Sequence, residues 1–380
     1  MKPGLRKWIG VGIKGAVAGL LTFVALEAGL AILCARGILH LHRPSYSMAN
    51  VRSRFWIETN PDFGVWHGPN SAYRHRTTSY DVSYRANSYG ARDKERTKES
   101  GGRKRAIVLG DSFTEGYGVE AADRFSDRLE AATGVEHLNF GTAGSFGPTQ
   151  YYLLYKTLAK QFEHDAVMVC LLPFNDFLDD DREYGRIAYA GRYRPYFVGK
   201  APDYVLVYSR KEVPPPDAKM LENFVREFSY TGNWLKRMRG LARYNATGLK
   251  ADYSGYCDYN EDQWQRLCHV LTLIRQEANG KDVIVLTFPA VADLARVDKD
   301  PAPLAVRLKE FCEKEGIAYL DLLPAFRSSA KGWRACYHVG DPHWNASGHE
   351  LAAQSILSNW RWYEKVGSTR QPGGSGPPHE

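Results

Sequence analysis

The sequence predicts an α/β fold built on a parallel, doubly wound sheet, with a transmembrane helix ahead of it. Short apolar runs recur through residues 105–362, and stretches with helical spacing alternate with them. Several runs end in glycine, serine, asparagine or aspartate, as strands do when their carboxyl ends line a ligand crevice. Residues 15–33 are almost wholly apolar. With 380 residues and 44% hydrophobic content, the chain is long enough for one large or two modest domains with a proper core.

Taken in order, residues 1–14 read as a cytoplasmic stub and residues 15–35 as the spanning helix, matching the ~20 residues a bilayer needs. Lys14 can snorkel at one end, but Glu27 lies inside the span. An acid there is normally placed against a partner. Together with the small-residue spacing of Gly15 and Gly19, it predicts a membrane protein partner or self-association. A cleaved signal peptide is the rival reading. No small-x-small site precedes Arg36, and Leu33 spoils a lipobox at Cys34. Lys2, Arg6 and Lys7 precede the span, so the expectation is a single-pass membrane protein with its main domain outside the cytoplasm, periplasmic or at the cell surface.

Residues 44–104 read as an accessory β-rich segment, with alternating strands at 71–76 and 81–86 and a turn at 87–92. The charged run from Arg92 to Arg105 reads as a solvated linker. The net charge of +7 is mild and no nucleic-acid-binding motif accompanies it, so nucleic acid is excluded as a partner. The main domain spans 105–362. Its strands are read at 106–109, around Leu138, at 167–176 ending in Asn-Asp, at 282–288 and 317–322, and its helices at 124–133, 149–160, 263–278, 303–314 and 345–362. Residues 179–260 form an insertion, with a hairpin from Arg192 to Tyr208 and one helix from Ala218 to Tyr244. Its Tyr and Arg residues suit sugar stacking and carboxylate contacts; a plain surface helix is the alternative. Residues 367–380 are rich in Pro and Gly and read as a disordered tail.

Ser112 follows the first strand and precedes a helix, where backbone N–H groups favour developing negative charge. A serine hydroxyl is a weak nucleophile until a neutral imidazole takes its proton. Asp341 and His343 supply a carboxylate and an imidazole on one loop, so the aspartate can fix the tautomer of the histidine. Polar groups also end the strands at Gly141-Thr-Ala-Gly144 and Phe174-Asn175-Asp176. The six cysteines show no metal spacing; Cys170, Cys268 and Cys312 read as core thiols, and a bridge from Cys257 is open. The histidines at 338, 343 and 349 permit a metal in principle, but the serine chemistry already explains that loop, so no metal and no cofactor are expected.

These blocks together resemble the SGNH, or GDSL-like, hydrolase superfamily: Gly110-Asp111-Ser112 with Thr114 and Gly116, then Gly144, Asn175, and Asp341 with His343. The resemblance covers roughly residues 105–360. It implies a flavodoxin-like three-layer sandwich, with Ser112 as nucleophile, His343 as base and Asp341 as its orienting acid. It also implies an oxyanion hole from the Ser112 and Gly144 N–H groups and the Asn175 side chain. One departure stands out. The family's last block is usually Asp-x-x-His, whereas here it is Asp-x-His followed by Trp344, similar to membrane-anchored members and the alginate O-acetyltransferase group. No Gly-x-Ser-x-Gly occurs, which excludes a nucleophile-elbow hydrolase.

The expected function is therefore a serine ester hydrolase acting through an acyl-enzyme, with O-acyl (O-acetyl) esters of cell-envelope carbohydrate as substrate. The alternative is an O-acetyltransferase that uses the same triad on an extracytoplasmic polysaccharide. A noncatalytic glycan-binding protein of the envelope is a third reading. It predicts a degraded dyad, and every catalytic position here is filled.

Overall fold

A computed structural model of the chain describes residues 3–215, 219–297 and 301–367. Its centre is a five-stranded sheet. The strands are β1 (Arg105–Gly110), β2 (Glu136–Asn139), β3 (Ala166–Leu171), β4 (Asp282–Thr287) and β5 (Ala318–Asp321), all parallel, in the order β5-β4-β3-β1-β2. β1 and β3 are buried along their whole length, as parallel strands covered on both faces must be. Helices Phe125–Thr133 and Ala346–Asn359 pack together, as do Pro148–Thr157 and Glu261–Glu277. The strand order reverses at β1, so the crevice between the carboxyl ends of β1 and β3 is the topological switch point where such sheets bind ligands. The predicted fold class is the observed one, and Tyr152, Leu153 and Tyr155 of the predicted helix are core residues.

Two hairpins precede the sheet, Glu58–Asn60 with Gly64–Trp66 and Ala72–Arg76 with Asp81–Arg85. They enclose a second small core of Phe55, Tyr73, Tyr80, Val82 and Tyr84. The run from Arg92 to Arg105 is exposed through much of its length, as a solvated linker is, but three of its arginines are not. Arg92, Arg96 and Arg105 are buried because each finds acceptors that its charge requires. Arg105 Nε donates to Glu136 at 2.6 Å, and Arg96 Nη2 to Glu130 at 2.7 Å. Arg92 donates to the carbonyls of Glu115, Gly116 and Val119 at 2.8, 2.6 and 2.6 Å, with its guanidinium 3.9 Å from the Tyr84 ring centroid.

The single helix expected at 218–244 is two, Met220–Phe228 and Tyr230–Ala246. Ser229 between them is extended (φ −144°, ψ 123°), and its hydroxyl caps the second helix by accepting from the Gly232 N–H. Residue 218 and residues 368–380, nearly all of the expected tail, lie outside the described residues. The insertion hairpin forms between Pro195–Val198 and Val205–Tyr208. All six cysteines are free, including exposed Cys257, so no bridge forms from it.

The N-terminal helix runs from Pro3 to Ala35, so residues 3–14 of the expected stub are helical too. Its stretch Gly12–Ala35 is long and apolar enough to cross a membrane. Glu27 finds its partner within the chain: its carboxylate accepts from Ser229 Oγ (2.7 Å) and from the Tyr230 and Thr231 N–H groups (both 2.8 Å). Apart from the adjoining residues and backbone of their own helix, no atom of the described residues comes within 4 Å of a Cβ placed on Gly15 or Gly19.

Arg92→Met would leave the buried Glu115 and Val119 carbonyls without their donor, and the Gly116 carbonyl with only the Val119 N–H. The expected cost is about 3 kcal/mol, read as a lower urea midpoint at unchanged slope. An unshifted midpoint would show that the accessory hairpins are not fastened to the sheet through this side chain.

Candidate active site

Ser112 is the first residue of a short helix, Ser112–Glu115, directly after β1. Its N–H therefore has no acceptor within the helix. Asp111 caps that helix, accepting from the Phe113 N–H at 2.9 Å through Oδ1. Its other oxygen accepts from Asn175 Nδ2 at 3.1 Å, so one carboxylate fixes both the serine turn and the amide at the end of β3. Burial pushes the Asp111 carboxyl up to about 6, against the hydrogen bonds from Phe113 and Asn175. The Asn175 amide has a second N–H, for which the structure gives no acceptor among the described residues.

The turn after β2 is fastened to the same helix. Thr142 N–H donates to the Gly110 carbonyl at 3.1 Å, and Asn139 Nδ2 to the Thr114 carbonyl at 2.8 Å. Ala143 N–H donates to the Glu115 carboxylate, which also takes Trp56 Nε1 at 3.2 Å and lies 3.4 Å from His67 Nε2. Burial raises the Glu115 pKa, but His67, Arg92 and the Ala143 N–H outweigh it and hold the group below its ordinary value. Gly141 admits no side chain: a Cβ there would lie 2.2 Å from the Glu115 nitrogen. Gly144 sits at φ +110°, which only glycine adopts freely, and its carbonyl accepts from Arg192 at 2.9 Å. Arg192 and Arg194 of the insertion thus brace the Gly144–Ser145 turn, a use of the insertion's arginines that the sequence did not suggest.

The Asp341–His343 loop closes over this edge. His343 Nε2 lies 2.9 Å from Ser112 Oγ, and His343 Nδ1 lies 2.6 Å from Asp341 Oδ1. Asp341 Oδ1 also accepts from the His343 N–H at 3.0 Å, so a two-residue spacing suffices for the aspartate to hold the ring. Trp344 faces the interior, fully buried against Phe113, Phe288 and Phe326, and anchors the loop from below. Tyr117 and Phe113 flank the imidazole, at 4.4 and 5.0 Å between ring centroids. Burial opposes charge on His343, but the Asp341 carboxylate prevails and the imidazole pKa is raised. Burial likewise raises Asp341, yet His343 and the Tyr80 hydroxyl hold it well below the usual carboxylate range.

Ser112, His343 and Asp341 are thus hydrogen-bonded in line, while Asn175 and Gly144 reach the same sheet edge through Asp111 and Glu115. Three residues escaped the sequence reading. Tyr80 donates to Asp341 Oδ2 at 3.1 Å across 261 positions. Asp111 and Glu115 were visible as members of the serine block, and the signal was a carboxylate on each side of Ser112-Phe113-Thr114. His349 belongs elsewhere: its Nδ1 accepts from the Phe125 N–H at 3.3 Å.

A base must be neutral to accept a proton. Because the His343 pKa is raised, ester turnover by this site should fall with decreasing pH through a limb above the ordinary imidazole value of about 6.5. Asp341→Asn should move that limb down, and Tyr80→Phe should lower kcat/KM by about tenfold at the plateau. A pH–rate profile checks all three; a limb that ignores Asp341→Asn would remove His343 from the base's role.

The model of the GDSL-like lipase/acylhydrolase family matches residues 108–351, which include Ser112, Gly144, Asn175, Asp341 and His343 but not Trp56, His67, Tyr80 or Arg92. No curated protein matches the chain. Similar solved structures include a lipolytic G-D-S-L family protein from Veillonella parvula, 14% identical over 68% of this chain and 98% of that one, with a TM-score of 0.36. A lipase/acylhydrolase from Enterococcus faecalis is 13% identical over 71% and 100%, with a TM-score of 0.35. A salicylyl-acyltransferase from a tetracycline biosynthetic pathway is 13% identical over 72% and 58%, with a TM-score of 0.38. On the family model, the chain belongs to the GDSL-like lipase/acylhydrolase family.

Proposed function

We propose that this protein is a serine ester hydrolase acting through an acyl-enzyme on O-acetyl esters of cell-envelope carbohydrate. In this reading the N-terminal helix holds it in the membrane and its catalytic domain lies outside the cytoplasm. The observation that carries the chemistry is the unbroken line from Ser112 Oγ to His343 at 2.9 Å and on to Asp341 at 2.6 Å. Ser112 Oγ attacks the ester carbonyl carbon as its proton passes to His343 Nε2. The oxyanion that forms is received by the N–H groups of Ser112 and Gly144 and by the Asn175 amide. The C–O bond to the sugar then breaks, and His343 returns the proton to the leaving hydroxyl. Water, deprotonated by His343 in turn, attacks the acyl-enzyme and releases the acid and Ser112. Asp341 stays ionised throughout and stabilises the imidazolium. The membrane-length helix and the resemblance to membrane-anchored relatives support the envelope substrate.

Two measurements test the reading. A serine-directed phosphonate should label the wild type and leave Ser112→Ala unlabelled, with the variant's circular dichroism unchanged. Incubation with acetylated glycan should release acetate, followed by mass spectrometry, and Ser112→Ala should lower that rate by at least about a thousandfold. An absence of label on the folded wild type would sink the catalytic reading. Acetate arriving on unmodified glycan from an acetyl donor would assign the same triad to an O-acetyltransferase.

A further inference from the structure

Helix Met220–Phe228 is inside out. A helix on a soluble surface turns its apolar stripe to the core and its polar face to water. Here the buried positions are Asn223 and Glu227, at 3% and 0% exposure. The Glu227 carboxylate accepts from Ser45 Oγ at 2.5 Å, Tyr73 OH at 2.6 Å and Asn50 Nδ2 at 3.1 Å. The opposite face carries Leu221, Phe224 and Val225, exposed by 75%, 44% and 39%. Asn223 and Glu227 are committed to the protein, so the side carrying Leu221, Phe224 and Val225 is the one offered outward.

This face continues a surface that already has an apolar environment in prospect. The N-terminal helix exposes Leu20, Leu26 and Ile32 by 63%, 51% and 58%. Glu27 of that helix grips Ser229 and the first N–H groups of Tyr230–Ala246, fixing the junction of the two insertion helices against the anchor. The second insertion helix adds exposed Trp234, Leu235 and Leu241 beside exposed Lys236, Arg239 and Arg243. Apolar and Trp side chains interleaved with cations fit the boundary between acyl chains and anionic headgroups.

We infer that helices Met220–Phe228 and Tyr230–Ala246 form a platform lying in the lipid–water interface of the bilayer that the N-terminal helix crosses. The inference rests on the membrane-anchor reading above and deepens it. The platform fixes the catalytic domain at one height and tilt on the membrane. Arg237 donates to the His40 carbonyl at 2.8 Å, and a Cβ on Gly340 would lie 2.3 Å from the His40 ring. The loop that carries Asp341 and His343 therefore rests on the segment leaving the anchor, close to the bilayer face. Such a site suits an ester whose carrier is itself held at the membrane.

The test uses the full chain in bilayers of phosphatidylcholine and phosphatidylglycerol. Single nitroxides are placed at Leu221→Cys, at Leu20→Cys in the anchor and at Val306→Cys on a distant helix, each in a Cys257→Ser background. Retained ester turnover reports folding. Collisions with oxygen and with a neutral nickel chelate separate lipid from water. The label at 221 should fall between those at 20 and 306, several-fold more accessible to oxygen than to nickel relative to the label at 306. Nickel access at 221 with lipid-like behaviour at 20 overturns the platform alone. Nickel access at both overturns the anchor and the platform together. Exclusion of both probes at 221 would mean a protein cover, such as a second copy, and would also overturn it.

Discussion

The hydrogen bond between His343 Nε2 and Ser112 Oγ, 2.9 Å long, joins groups 231 positions apart. Neither group has this chemistry alone, and the fold's task is to hold two loops in register to within a few tenths of an ångström. The parallel sheet does the first part. It brings the carboxyl ends of β1, β2 and β3 to one edge and places the serine turn beside the switch point. The closing helix Ala346–Asn359 does the second. It begins three residues after His343 and packs on Phe125–Thr133, so the base's loop is tied to the scaffold that follows the nucleophile.

Around that bond lies a set of buried polar groups, each costly to desolvate and each supplied with partners. Asp111 serves the serine turn and Asn175, and Glu115 serves the turn after β2. Arg92 fastens the loop that leaves the serine helix. Three of the four strand-end blocks are thus cross-braced by carboxylates within four residues of Ser112. The fourth, the Asp341–His343 loop, is braced from outside the sheet by Tyr80. The accessory hairpins are in this sense part of the site, since they position the group that orients the base.

Much of this was legible in the sequence because the relevant signals are local. A four-residue apolar run bounded by glycine announces β1, and Ser112, Asn175 and His343 each fall just beyond a strand or before a helix. The break at Ser229 was not legible, since its cause is the carboxylate of Glu27, 202 positions away, drawing the Ser229 hydroxyl and two N–H groups. Arg92, Arg96 and Arg105 looked solvated because their acceptors, among them the carbonyls of Glu115, Gly116 and Val119 and the carboxylates of Glu130 and Glu136, lie further along the chain. The same non-locality hid Tyr80. Glu27 itself was recognised as an acid in need of a partner, and the chain's own insertion supplies hydrogen-bond donors to it.

The central claim is that Ser112 carries the acyl group during turnover. Rapid acid quench of the enzyme with an acetyl ester, followed by peptide mass mapping, tests it directly. The account predicts an added acetyl mass confined to the peptide containing Ser112, rising within the first turnover and absent from His343→Ala. Steady turnover with no adduct on that peptide, or an adduct on another residue, would contradict it.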